Sequence, residues 1–511
     1  MNWWKNVGLW TLGFMSLSLT AQADNDSTDA ATVKIAWESQ VRSFDPRGAV
    51  DANSQYLEDL IHCSLISFDR AGNIQPQLAA NKPKWIEPTT LHLKLRKNIK
   101  FSDGKPVTAA DVKATYQSLI DSRDFARRLA FKDVKSITTP KPNELEFHLQ
   151  KPDATFVSNL VVGILPKDVI AANKGPLKQS PGCGPFQIAG TDVNELTLEP
   201  NPHYSLGPKP KVNKVLIKIV KSEKTRFAKL RAGEIDIAQN NINRELVDDV
   251  QRKYPGLEVM AEPALKTTYL GFNMKDPITG NPAVRQAIAH AIHRPSIIKL
   301  LLGGLATPAS SLLPPSSPYF NDKIDNPAYD VAKANAILDK ADLPKKGRYR
   351  FKISYKTTID ATRINIARAV ASQLKKIGID VVVEPMEWGR FKQDVESGRV
   401  QMWGLTWVGF KDPDILRYAF ASESIPPNGG NRGHYQNKKL DQLLAKGRTT
   451  LNEEKRKDIY FQAQKIIANE LPYIFLWHEQ NFAIVNQRLK GFQLYADGRL
   501  SSLARVAYES K

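Results

Sequence analysis

The chain has 511 residues, of which 42% are hydrophobic and 24% charged. That length is more than one hydrophobic core supports, and that composition excludes a disordered chain. The net charge of +19 comes from basic residues interleaved with acids. It reads as a solvated surface in an anionic envelope rather than a nucleic-acid interface.

The N-terminus carries one charge, Lys5, before an apolar run over residues 7–19 and the small-residue site Ala21-Gln22-Ala23. A basic start, a short apolar core and such a site predict a cleaved secretory signal peptide over residues 1–23. The run is shorter than the roughly 20 residues that a membrane span needs. No cysteine follows it, so a lipid anchor is not expected, and the mature chain should begin near Asp24. Two cysteines, Cys63 and Cys183, are carried into an oxidising compartment. They form either a disulfide or two buried thiols.

Leu91, Leu93 and Leu95 alternate with polar residues, as do Leu145, Phe147 and Leu149. This is the period of half-buried strands. The runs 215–220 and 381–383 are dense in β-branched residues and predict buried strands. Val284, Ala287, Ile288 and Ala291 mark a helix. Ile366, Val370 and Leu374 mark another, stopped by Gly378 and followed by a strand at 379–383. With a strand at 351–355 before it, this is a β–α–β unit. Ile459, Ala463, Ile466 and Ile467 give a further helix, and proline-rich loops lie at 308–318 and 426–430. The mixture predicts α/β lobes.

Catalytic signatures are missing. The sequence has no G-x-S-x-G, H-E-x-x-H or G-x-x-x-x-G-K-[ST] string. His290 and His293 stand three apart on a helix predicted over 284–298, without a third metal ligand, and His478-Glu479 lacks the second histidine of a zinc protease. Neither a metal, another cofactor nor an enzymatic activity is expected.

Several strings occur in a telling order. Ser64-Leu65-Ile66-Ser67-Phe68-Asp69 comes first, then Gln75-Pro76-Gln77-Leu78-Ala79. Phe101-Ser102-Asp103-Gly104-Lys105-Pro106-Val107-Thr108-Ala109-Ala110-Asp111-Val112 is the most specific. Gly182-Cys183-Gly184-Pro185-Phe186, Leu230 to Asp236, Leu270-Gly271-Phe272-Asn273, Val284 to Ile288, Trp407 to Asp414 and Tyr435 to Leu443 follow. Together they resemble the extracytoplasmic solute-binding proteins of family 5, the oligopeptide/dipeptide/nickel type, over nearly the whole mature chain.

The resemblance implies a two-lobed α/β periplasmic binding protein fold of the class II type, with an enlarged lobe I carrying an extra subdomain. Lobe I comprises residues 24–267 and 479–511, and lobe II residues 268–478. Hinge strands are expected near 265–270 and 477–485. It further implies a monomeric periplasmic protein that captures a short peptide between the lobes. The partners would be an inner-membrane ABC permease and its ATPase subunits, and no nucleic acid. Alternatives on the same fold are a metal chelate, an opine-like, sugar-like or amine-blocked solute, or a chaperone or sensor role.

The resemblance also points to residues. Tyr56, Trp407 and Phe410 are expected to line the cleft, with Gly182, Cys183, Gly184 and Gly409 allowing close backbone approach. Core packing is the alternative for the three aromatics, and a plain turn for the 182–186 loop. In peptide-binding relatives an acid three positions after the equivalent of Trp407 pairs with the ligand α-ammonium; here that position is Phe410. Either Asp412 substitutes, or the ligand lacks a free amine, or Phe410 stacks on an apolar group. Asp412 and Asp414 are otherwise caps of a helix starting near Ile415. Arg363 and Arg390 are candidate partners of a ligand carboxylate. Cys63 lies near Cys183 in relatives, so a disulfide between them would staple the cleft wall.

Overall fold

A computed structural model describes residues 32–509, except 174, 241–244 and 326; the predicted signal peptide lies outside the described residues. No helix among the described residues is long and apolar enough to cross a membrane.

Two long strands organise the chain. Leu257–Phe272 and Tyr473–Asn486 run antiparallel, with a break in register between Pro263 and Thr267. On one side of the break, Tyr473–Asn486 pairs with Ile237–Gln239. That strand leads to Thr32–Trp37 and Lys214–Ile219. On the other side, Leu257–Phe272 pairs with Met402–Val408, which leads to the parallel strands Phe351–Thr358 and Ile379–Met386. The described residues thus form one 11-stranded sheet whose two ends belong to different lobes.

The cores follow the same division. Val33, Ile35, Leu57 and Ile217 pack with Val485, Leu494 and Leu503, so the two ends of the chain share one core. Two further clusters cover the two faces of the other half of the sheet. One holds Ile288, Val370 and Trp477; the other holds Phe391, Trp403 and Tyr460.

A separate four-stranded antiparallel sheet carries the alternating leucines. Leu91 and Leu93 on Thr90–Lys94 face Leu145 and Phe147 on Glu144–Leu149. The helix Ala109–Asp121 covers it. Asp111 Oδ2 accepts from the Thr108 amide at 2.9 Å and its hydroxyl at 2.6 Å, while Oδ1 accepts from the Lys167 amide at 2.9 Å. The most specific string of the sequence is therefore a helix start, with one carboxylate fixing the cap and the next helix.

The β–α–β unit forms as expected. Ala361–Leu374 ends through a short 3-10 turn at Gly378, whose φ of 78° suits glycine, and Ile379–Met386 returns parallel to Phe351–Thr358. The single helix over 284–298 does not form. Pro282–Ala291 ends, and Arg294–Leu301 begins, because Pro295 has no N–H to continue the ladder. His290 and His293 are thereby separated. His290 Nδ1 bonds the Ala328 carbonyl at 2.7 Å, and the His293 ring packs on Tyr329. Among the described residues no His, Cys, Asp and Glu cluster suits a metal.

Cys63 and Cys183 are bonded, with Cα atoms 5.1 Å apart, and close a loop of 120 residues within the subdomain core. Closing so long a loop restricts the unfolded chain strongly. Replacing both cysteines by alanine should lower stability by roughly 3–5 kcal/mol. Urea unfolding with and without reductant checks this. The wild type should lose the same amount on reduction, and the variant nothing.

Candidate functional site

The break in the long strands places three chain segments around one recess. The Leu265 amide donates to the Ala496 carbonyl, and its carbonyl accepts from the Gly409 amide, both at 2.8 Å. Gly409 takes a φ of 70° here, which turns the chain after the Met402–Val408 strand toward the other lobe.

The helix Ala52–Ile61 supplies charge to this recess. Asp51 caps it by accepting from the Ser54 amide at 3.1 Å. Its apolar face, Leu57, Leu60 and Ile61, enters the core. Glu58 and Asp59 line a cavity of about 30 Å³ with Arg127, Lys411, Arg499 and Ser67. Glu58 Oε1 accepts from Arg127 Nη1 at 2.9 Å and from the Gly163 amide at 2.7 Å. Burial pushes this carboxyl up to about 7, against the pull of Arg127. Desolvation by the cavity walls also raises Asp59, which Arg499 approaches only to 3.9 Å.

Asp497 is the acid shared by two of the bases. Burial opposes its charge, but Arg499 and Lys411 hold the carboxyl well below the usual range. Arg499 Nε donates to both its oxygens at 3.0 Å, and Lys411 Nζ lies 2.9 Å from Oδ2. Burial, with Asp497 and Asp59 near, pushes the Tyr56 phenol up to about 12. Three acids and three bases therefore meet where the two lobes approach.

The expected site residues divide. Tyr56 lies by this charged recess, half-buried, with its hydroxyl against Gly498. Trp407 is half-buried, stacked on Tyr269 with ring centroids 6.2 Å apart, and Arg432 sits 5.0 Å over its ring. Its indole Nε1 is buried without a hydrogen-bond partner. Phe410 packs in the core cluster with Leu313 and Leu416 and also lines a small cavity with Gly72, Leu265, Lys411 and Asp412, where Gly409 turns the chain just before it.

Asp412 is not an available acid. Its two oxygens accept from Arg456 Nη1 at 3.0 Å and Nη2 at 2.7 Å, a bidentate pair. Asp412 also caps the turn that opens the helix Ile415–Phe420, its Oδ1 accepting from the Asp414 amide at 2.8 Å, whereas Asp414 makes no side-chain cap and pairs with Arg417. Burial pushes Asp414 up to about 6.

Gly182 and Gly184 pack closely against the end of the helix Ala52–Ile61, and Gly182 also lines a cavity of about 220 Å³ with Ser102 and Gln187. A Cβ on Gly182 would fall 1.8 Å from the Ile61 carbonyl oxygen, and one on Gly184 would fall 2.6 Å from the Ile61 carbonyl carbon. Cys183 is consumed by its disulfide. Arg363 is half-buried and Arg390 exposed, each in the first turn of a helix that follows a parallel strand. Ile359, Trp388 and Val408 stay more than half exposed at the same strand ends, where open α/β sheets offer ligand sites.

Sequence reasoning missed Glu58, Asp59, Arg127, Lys411, Asp497 and Arg499. The signals were adjacent acids inside an amphipathic helix and the Asp497-Gly498-Arg499 triplet. Nothing in the sequence says that residues 59, 411 and 499 meet.

Comparison with known proteins adds four findings. The family model described as bacterial extracellular solute-binding proteins, family 5 Middle, matches residues 73–427. The glutathione-binding protein GsiB of Escherichia coli is 27% identical over 504 residues, covering 95% of this chain and 96% of the relative. The periplasmic binding protein DppA of Helicobacter pylori, solved with peptide STSA, is 26% identical with a TM-score of 0.73, covering 94% of this chain and 98% of that one. CtaP of Listeria monocytogenes, an ABC transporter substrate-binding protein, is alike in fold, with 22% identity, a TM-score of 0.85 and coverage of 94% and 99%.

Two outcomes are expected of the charged groups. The Glu58 carboxyl binds its proton more tightly folded than unfolded, since burial lifts it from 4.5 to about 7. Its stabilising contribution is complete below 4.5 and is lost as pH rises through about 7. The Tm of the wild type minus that of Glu58→Gln should therefore fall across that window. A difference independent of pH would show a carboxyl already charged throughout. Asp412→Ala should cost about 3 kcal/mol by stranding the Arg456 guanidinium. Ligand affinity should hold once stability is corrected for; a selective loss of affinity for amines would return Asp412 to the binding site.

Proposed function

The chain belongs to the bacterial extracellular solute-binding proteins of family 5, the solute-capturing components of ABC importers, and from that premise we propose that it captures short peptides in the periplasm and hands them to a membrane permease. The observation that carries this reading is the recess between the lobes, lined by Glu58 and Asp59 on one hand and Arg127, Lys411 and Arg499 on the other. A peptide carries charges of both signs and a polar backbone, and each buried polar group needs a partner. A wall with both signs of charge supplies them. The likeness to a peptide-bound DppA supports the same reading.

Capture requires the lobes to part. The cavity of about 30 Å³ is far below the volume of a peptide. Contacts of residues before 267 or after 479 with the inserted segment close it. Arg448 Nη2 donates to Asp153 Oδ2 at 2.9 Å, the Ala154 amide bonds the Arg448 carbonyl at 2.8 Å, and Lys411 meets Asp497. We place the hinge at the register break between Pro263 and Thr267 and its partner residues 478–480. Opening there leaves both cores intact.

A non-peptide or amine-blocked solute is the second reading, favoured by Phe410 at the position of the expected acid. Native mass spectrometry of the purified chain, followed by denaturation and identification of what is released, separates the two. Released peptides two to five residues long, on the order of the ligands such clefts hold, are the expected result. A released chelate, opine or sugar in their place would overturn the peptide reading and leave solute capture standing.

A further inference from the structure

Lys411 leaves the segment after the Met402–Val408 strand and crosses to the wall built by the two ends of the chain. Its Nζ lies 4.0 Å from the centroid of the Phe68 ring and 2.9 Å from Asp497 Oδ2. Phe68 and Asp497 are themselves held in place by one residue. Arg499 donates to the Phe68 carbonyl at 3.3 Å and clasps the Asp497 carboxylate with its Nε. Burial and the nearby Arg499 oppose the Lys411 ammonium, while Asp497 and, more weakly, Asp59 favour it. An aromatic face, a buried carboxylate and a second acid nearby make a complete recognition set for a primary ammonium.

This recess faces the place where the resemblance expects an acid for the ligand α-ammonium, and where this chain has Phe410 turned into the core. The two nearest alternatives are spent: Asp412 on Arg456, and Asp414 on Arg417. Among the described residues, the acids of the charged recess, Glu58, Asp59 and Asp497, lie on the opposite wall.

We propose that Phe68, Asp497 and Asp59 form an ammonium-binding recess which the chain fills with its own Lys411, so that a captured peptide is not selected by a free amino terminus. The second half rests on the peptide reading; the recess itself does not. Lys411 holds the recess in the closed form, and its short tether to Gly409 gives it a high effective concentration over any free amine. A ligand then binds with its amino end elsewhere, or with that end blocked.

The test uses the whole mature chain as wild type, Lys411→Ala and Lys411→Arg. Two probes are read. Butylammonium, against butanol at equal concentration, reports on the recess alone through Tm. It should raise the Tm of Lys411→Ala and leave the wild type and Lys411→Arg unmoved. A random tripeptide pool and its N-acetylated counterpart, in competition, report on selection. The wild type should take both pools to within about threefold, and Lys411→Ala should favour the free-amine pool by about tenfold. If butylammonium does no more than butanol for Lys411→Ala, the recess is not an ammonium site and the proposal is overturned. If the wild type already favours free amines about tenfold, the self-occupancy is overturned while peptide capture stands. If neither pool binds, peptide capture fails and takes the selection claim with it, and the butylammonium result still decides the recess.

Discussion

The peptide unit at Leu265 ties the molecule together. It lies inside the register break of the strand Leu257–Phe272, where the ladder to Tyr473–Asn486 is interrupted. Released from that ladder, its N–H goes to Ala496 and its C=O to Gly409. Pro263, with no N–H to offer, stands where the pairing begins to fail. Thr267 resumes it, its hydroxyl bonded to the Leu312 carbonyl at 2.8 Å and to His478 Nδ1 at 2.9 Å. A strand that changes partners must bend there. The bend sets both the axis between the lobes and the place where their loops meet.

The charged recess follows from that geometry. Residues from both ends of the chain and from the inserted segment converge on it, and each charge is matched. Glu58 is met by Arg127, Asp497 by Arg499 and Lys411. Buried ion pairs of this kind add little net stability, because desolvation offsets their attraction. Their value lies in direction. Each fixes a donor or acceptor where the two lobes approach, and each is costly to strand. Asp59 is the least closely paired of the acids, and Trp407 keeps an unpartnered indole N–H.

Much of the fold was legible because it rests on local rules. The alternation of Leu91, Leu93 and Leu95, the four-residue recurrence of Ile366, Val370 and Leu374, and the stop at Gly378 each depend on near neighbours and appear in the structure as read. The helix over 284–298 failed for an equally local reason: the pattern was followed across Pro295, which divides it. The site was less legible. Asp412 looked available because its acidic character is written in the sequence, while its partner Arg456 lies 44 residues further on. Gly182 and Gly184 were read as room for a ligand, and the helix end at Ile61 that packs on both of them is far away in the sequence.

By itself the sequence determined the α/β lobes and the ordered strings that mark the family. Periodicity, caps and turn residues act over a few positions and need no tertiary partner. It also carried the one informative departure, Phe410 where an acid is expected. Only the tertiary structure decided which charges meet across the cleft. Asp59 lies hundreds of residues from Lys411 and Arg499 along the chain, and an ion pair depends on distance in space, which the bend at Leu265 creates.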